Sequence, residues 1–124
     1  MKKDYFSHLR PDEKHIIKYK GTEAPFTGEY NDFYQQGIFI CRACKSPLYD
    51  SSTKFNSGCG WPSFDDEIDG AIMRHEDLSG GKVRTEICCA KCGGHLGHVF
   101  FGEKITEKDT RHCVNSLSIQ FKPL

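Results

Sequence analysis

The chain has 124 residues, with 17 basic and 17 acidic side chains and a formal net charge of zero. That length suits one domain over residues 1–124 with a modest core. The charge balance excludes a long-range basic field for nucleic acid, and no apolar run approaches the ~18 residues of a membrane span. Residues 1–8 hold no apolar leader core, so a secretory signal is not expected, and the chain reads as a soluble cytoplasmic monomer. Seven cysteines are many for a reducing compartment. There they point to metal binding or redox catalysis more than to structural disulfides.

Residues 1–10 are polar and are expected to be loosely ordered. Residues 11–21 predict a short helix. Pro11 suits its first position, Asp12 and Glu13 its positive end, Lys18 and Lys20 its last turn, and Gly21 its stop. Residues 21–36 are rich in turn formers. Gly37-Ile38-Phe39-Ile40-Cys41 reads as a buried strand, and Pro47-Leu48-Tyr49 as a brief extended piece. Residues 57–64 form a Gly-rich loop holding the only tryptophan, Trp61. Ile68 and residues 71–75 suggest a strand pair about Asp69-Gly70. Val83, Thr85 and Ile87 alternate as a half-buried strand. A turn at His95-Leu96-Gly97-His98 is expected before a strand at Val99-Phe100-Phe101. About seven short strands and one N-terminal helix give a mainly β domain of antiparallel sheets, a small sandwich or barrel-like body.

Residues 111–121 close the chain as a predicted strand. A period of two puts Arg111, Cys113, Asn115, Leu117, Ile119 and Phe121 on one face, with His112 pointing the other way. A thiol, an amide and a guanidinium then continue a row of core side chains to its rim. By itself this strand favours the plainer reading of Cys113 as a small buried hydrophobe.

Cys41-x-x-Cys44 and Cys89-x-x-Cys92 each follow a predicted strand. Together they have the spacing of a tetrahedral four-thiolate zinc site, one ion per chain. Cys88 is set aside because the two-residue spacing matches Cys89. Between Cys44 and Cys89 lie 44 residues, well beyond the ~15–20 of a zinc ribbon. The metal therefore clamps a long excursion, whose closure costs roughly 3 kcal/mol from the length term. Four thiolates leave no open coordination place, so this zinc is structural and any chemistry lies elsewhere.

Cys59 and Cys113 remain. Arg111 and His112 beside Cys113 favour its thiolate. The two read either as a reactive thiol with a second cysteine within reach or as two unrelated thiols. His95 and His98, held by the metal knuckle before them, suit proton donation near neutral pH. The plainer reading is a pair of surface turn histidines.

Five motifs occur in order: Pro25-Phe26-Thr27-Gly28-Glu29-Tyr30; Cys41-x-x-Cys44; Ser57-Gly58-Cys59-Gly60-Trp61-Pro62-Ser63-Phe64; Cys89-x-x-Cys92-x-x-His95-Leu96-Gly97-His98-Val99-Phe100; and Arg111-His112-Cys113-Val114-Asn115-Ser116. Together, over about residues 11–122, they resemble the B-type methionine sulfoxide reductases. The resemblance implies reduction of peptidyl methionine-(R)-sulfoxide. Cys113 is then the nucleophile and Cys59 the resolving thiol, joined in a disulfide that thioredoxin reduces. His95 and His98 polarise and protonate the sulfoxide oxygen, Asn115 and Arg111 support the pocket, and Trp61 is its wall against the methyl group. The resemblance also implies zinc on Cys41, Cys44, Cys89 and Cys92. Many members carry Asp-Gly-Pro and an aromatic residue where this chain has Phe101-Gly102-Glu103-Lys104 and His112. The competing reading is a zinc-clamped β module that binds a partner without chemistry.

Overall fold

A computed structural model describes residues 4–124. Residues 1–3, part of the stretch expected to be loosely ordered, lie outside the described residues. In the rest of that stretch Leu9 is buried, and His8 Nε2 lies 2.8 Å from the Ala43 carbonyl. The helix α1 spans Pro11–Ile17 and is shorter than expected. The Glu13 carboxylate accepts the Arg10 N–H at 2.9 Å, satisfying one orphan donor of the first turn. The chain leaves the helix at Lys18, and the Gly21 N–H folds back to the His15 carbonyl at 2.8 Å. Ile16 and Ile17 are buried, so packing holds a helix too short to stand alone.

Nine strands follow: β1 (Gly37–Cys41), β2 (Pro47–Asp50), β3 (Lys54–Phe55), β4 (Ser63–Phe64), β5 (Ile72–Asp77), β6 (Arg84–Cys89), β7 (His95–Phe101), β8 (Thr110–Val114) and β9 (Ile119–Pro123). They form two open sheets, ordered β2-β1-β9 and β3-β4-β8-β7-β6-β5, with antiparallel pairing throughout. The barrel-like body is thus a pair of sheets with free edges rather than a closed barrel. Among the described residues no helix is long and apolar enough to cross a membrane.

Between the sheets lies an aromatic core. Phe39, Tyr49 and Phe64 have no exposed surface. Tyr49 and Phe64 stack with centroids 4.3 Å apart, and Phe39 meets Phe64 edge-on at 5.2 Å. Each such ring contributes roughly 1.5–3 kcal/mol by burial, which is how a short helix and nine short strands hold together.

Three sequence expectations are corrected. Ile68 forms no strand; its N–H bonds the Leu48 carbonyl at 3.0 Å, and β5 instead pairs with β6. His95 and His98 are not in a turn but begin β7, which is paired on both sides. The predicted strand over 111–121 is broken. β8 ends at Val114, a 3-10 turn takes Ser116–Ser118, and β9 belongs to the other sheet. Polar side chains cause the break by bonding backbone from other segments. Ser116 Oγ accepts the Tyr30 N–H at 3.2 Å, and Ser118 Oγ donates to the His95 carbonyl at 2.8 Å. Arg111 and Cys113 therefore do not continue the row of Ile119. The core side of β8 is His112 and Val114, both buried, and Cys113 faces away from it.

His112 sits in the core with Nδ1 2.9 Å from the Tyr49 hydroxyl. Burial, partly offset by the charge of Glu67, pushes its pKa down to about 4. The unfolded chain binds a proton near pH 6.5 that the folded one refuses until about pH 4. Stability present above pH 6.5 is therefore lost as pH falls through that window, by of order 2–3 kcal/mol. Denaturant titrations at pH 7 and 4.5 should show it, with a smaller loss in His112→Gln.

Gly97 pairs with Val114, and a Cβ there would fall 1.9 Å from the Cys113 carbonyl oxygen. Backbone cannot step aside like a side chain. Gly97→Ala is expected to cost of the order of 1–3 kcal/mol, read as a lowered denaturation midpoint.

Candidate active site and metal centre

One face of the larger sheet carries the candidate site residues. The register places Cys113 opposite His98, His98 opposite Glu86 and Arg111 opposite Phe100. In a regular strand, residues three apart point to opposite faces. Here β7 carries one extra residue: Ile87 pairs with Gly97 but Cys88 with His95. This bulge resets the alternation, and the two imidazoles lie 5.9 Å apart, centroid to centroid. Cys59, Trp61, His95, His98, Arg111, Cys113 and Asn115 line one cleft of about 180 Å³. That is below the roughly 300–1,000 Å³ of pockets for drug-sized ligands, and suits one side chain.

The opposite wall is the loop with Cys59. Gly58 and Gly60 both have positive φ, which a side chain resists. At Gly60 a Cβ would also lie 2.7 Å from Pro25 Cβ. Trp61 Nε1 donates to the Glu23 carbonyl at 3.0 Å. The Glu23 N–H donates to Asn115 Oδ1 at 3.0 Å, and Asn115 Nδ2 donates to the Leu96 carbonyl at 3.0 Å. Asn115 thus ties the strand end bearing Cys113 to the segment under the indole.

The two sulfurs stand 3.9 Å apart and both cysteines are free. A disulfide needs about 2.05 Å, so closing the remaining gap of about 2 Å would join them. The hydrogen bond from Cys113, aided by the Ser57 and Ser63 hydroxyls against burial, holds Cys59 down to about 4. The same bond, then burial, raises Cys113, while Arg111 pulls it back. The sulfurs therefore share one proton and titrate as a pair.

Three carboxylates that sequence reasoning did not single out hold the two imidazoles and the guanidinium. Glu86, buried, lies 2.7 Å from His95 Nδ1. Asp77 Oδ2 lies 2.7 Å from His98 Nε2. Glu103 takes Arg111 Nε at 2.7 Å and a second guanidinium nitrogen at 3.0 Å, a bidentate pair. The guanidinium also lies 4.5 Å over the Phe100 ring. Glu103 lies in the stretch where the chain departs from Asp-Gly-Pro. The signal for Glu86 was its place two residues from Arg84 on an alternating strand, which fits any half-exposed strand equally well.

The candidate metal site lies outside the lining of the cleft. Cys41, Cys44, Cys89 and Cys92 bring their sulfurs within 4.8 Å of one another. Cys41 to Cys92 is 3.7 Å and Cys44 to Cys89 is 3.5 Å. Four sulfurs about 2.3 Å from a tetrahedral ion stand about 3.8 Å apart, so the four are positioned to bind a metal ion. The two knuckles repeat each other. Lys45 N–H bonds Cys41 O and Gly93 N–H bonds Cys89 O, both at 2.8 Å, and Lys45 and Gly93 share positive φ. Cys88 is buried beside them, its S–H directed to Glu86 at 3.3 Å.

Comparison with known proteins places this geometry. The SelR domain profile matches residues 9–123. The chain belongs to the SelR family. Over 93% of its length the SelR chain is 57% identical to peptide methionine sulfoxide reductase B5 of Oryza sativa subsp. japonica, covering 84% of that protein. It is 46% identical over 98% of its length to peptide methionine sulfoxide reductase MsrB of Agrobacterium fabrum, covering 90% of it. The Mis18 Yippee-like domain shares the fold alone, with a TM-score of 0.54 at 19% identity, over 73% of this chain and 98% of that one.

Proposed function

We propose that the SelR chain reduces methionine-(R)-sulfoxide in peptides and proteins to methionine. The observation that carries this reading is a cysteine pair 3.9 Å apart in a cleft with two imidazoles. A sulfoxide is a poor electrophile until its oxygen gains a proton or a strong hydrogen bond, which His95 and His98 supply. The shared proton passes to Cys59, and Cys113, beside Arg111, attacks sulfur as thiolate. An S–S bond to the substrate sulfur forms first; the oxygen then passes to the Cys113 sulfur as that S–S bond and the original S–O bond break, so methionine leaves and Cys113 keeps the oxygen as sulfenic acid. Cys59 then displaces water, forming the Cys59–Cys113 disulfide, which thioredoxin reduces by dithiol exchange. Trp61 stands as the wall for the methyl group, so one sulfur epimer fits. Zinc on the four clustered thiolates is structural. A binding module without chemistry would need neither the cysteine pair nor the imidazoles.

The test is turnover of the two sulfoxide epimers with thioredoxin as reductant. The R epimer is expected to be consumed and the S epimer spared. Cys59→Ser is expected to release about one methionine per enzyme in a single pass and then to stop cycling with thioredoxin. Undiminished cycling by that variant would remove Cys59 from the resolving role.

A further inference from the structure

Glu86 is a buried carboxylate with both oxygens engaged. Oε2 meets His95 Nδ1 at 2.7 Å and the Cys88 S–H at 3.3 Å, and Oε1 accepts Lys20 Nζ at 3.2 Å. Burying such a group is costly unless charge and hydrogen bonds compensate it. Lys20 compensates from an awkward place: it has φ 61, a conformation that most side chains avoid. It lies just beyond α1, so the segment after the helix delivers an ammonium to Glu86.

An ionised carboxylate only accepts hydrogen bonds. His95 Nδ1 must therefore carry the proton of the short contact to Glu86. The ring nitrogen left for the cleft is Nε2, which has a lone pair in the neutral ring and a proton only in the imidazolium. Sequence motifs show that a histidine is present; the partner shows which nitrogen works and in which charge state.

The geometry points to Glu86 as a positioning residue. It locks the ring and tautomer of His95 and, paired on its other oxygen with Lys20, readies His95 to hand a proton from Nε2 to the sulfoxide oxygen. This rests on the reductase reading. One N–H bond breaks and one O–H bond forms; that proton ends on the oxygen of the Cys113 sulfenic acid, and solvent reprotonates Nε2 afterwards. Several groups bear on the imidazole. Glu86 and Cys88 face it from β6, His98 from β7 and Lys20 from the segment after α1, with the Cys59–Cys113 pair across the cleft. Burial lowers the proton affinity of His95, and Glu86 raises it again in part.

The test compares Glu86→Gln and Glu86→Ala with the parent on methionine-(R)-sulfoxide. Glu86→Gln keeps an oxygen for Nδ1–H and loses the charge. Its kcat is expected to fall about tenfold, with KM moved less than about twofold. Without the carboxylate the imidazolium is less favoured, so the alkaline limb of its kcat profile is expected to move down by about one pH unit. Glu86→Ala is expected to lose about 100-fold in kcat. In histidine-labelled protein the His95 Nδ1–H resonance should persist in the parent and in Glu86→Gln and vanish in Glu86→Ala. The near-isosteric Glu86→Gln carries the test where Glu86→Ala fails to fold. An active parent whose Glu86→Gln variant has kcat within twofold and an unmoved alkaline limb overturns the assignment. A parent inactive on both epimers overturns the reductase reading instead, and the resonance still decides whether Glu86 holds His95.

Discussion

Replacing Cys113 by serine is expected to abolish reduction of the sulfoxide, with kcat lowered by about 10⁴-fold or more. The reason is electronic rather than steric. The step removes oxygen from a sulfoxide, so an atom of the enzyme must take that oxygen and be oxidised by two electrons. A cysteine sulfur reaches the sulfenic acid level readily; a serine oxygen has no counterpart. Ser and Cys differ little in size, and Cys113 lies in a strand whose hydrogen bonds do not involve its side chain, so folding should persist. Single-turnover release of methionine without any reductant isolates the step from recycling. If Cys113→Ser still released one methionine per chain, Cys59 would be the nucleophile. The proton shared by the pair makes that a real alternative, because Cys59 is the sulfur held down to about 4. Geometry favours Cys113: it pairs with His98 across β7 and β8 and shares the cleft with His95, so the proposed nucleophile stands with both imidazoles.

Removing the metal is expected to have the second large effect. Structural zinc sites contribute about 10–16 kcal/mol of apparent binding energy in small peptides, as much as the roughly 5–15 kcal/mol net stability of a whole domain. The knuckles join the end of β1 in the small sheet to the end of β6 in the large one. Their four thiolates, released from an ion, would be like charges within 4.8 Å of one another. Cys41→Ser, or a strong chelator with the parent, is expected to abolish the cooperative thermal transition and to expose the core. Metal analysis of the parent should show about one zinc per chain. A parent without metal that unfolds cooperatively at the usual temperature would refute the clamp.

The two effects should separate. Cys113→Ser should keep metal and stability and lose turnover, whereas Cys41→Ser should lose all three. A mechanism in which the clustered thiols perform the redox chemistry predicts the opposite pattern, with Cys113→Ser still active.

Much of this protein was legible in its residues because the signals are local. A Cys-x-x-Cys turn closes on itself, so the two ligand pairs were visible from spacing, and only their meeting needed the fold. The pairing of β5 with β6, the bulge at Leu96 and the exit from β8 were not visible. Alternation over residues 111–121 is the same whether the chain runs on or crosses to another sheet. The deciding bonds, from Ser116 to Tyr30 and from Ser118 to His95, join residues 86 and 23 positions apart. The same holds for the site. The sequence by itself determined which thiols and imidazoles are present and that the thiols fall into two sets. The tertiary structure decided that Cys113 faces away from the core, that an extra residue in β7 brings His95 and His98 to one side, and that Glu86, Asp77 and Glu103 hold the two imidazoles and the guanidinium in place. Donor types are a property of residues, but direction and charge state depend on strand register and on partners far away in the chain.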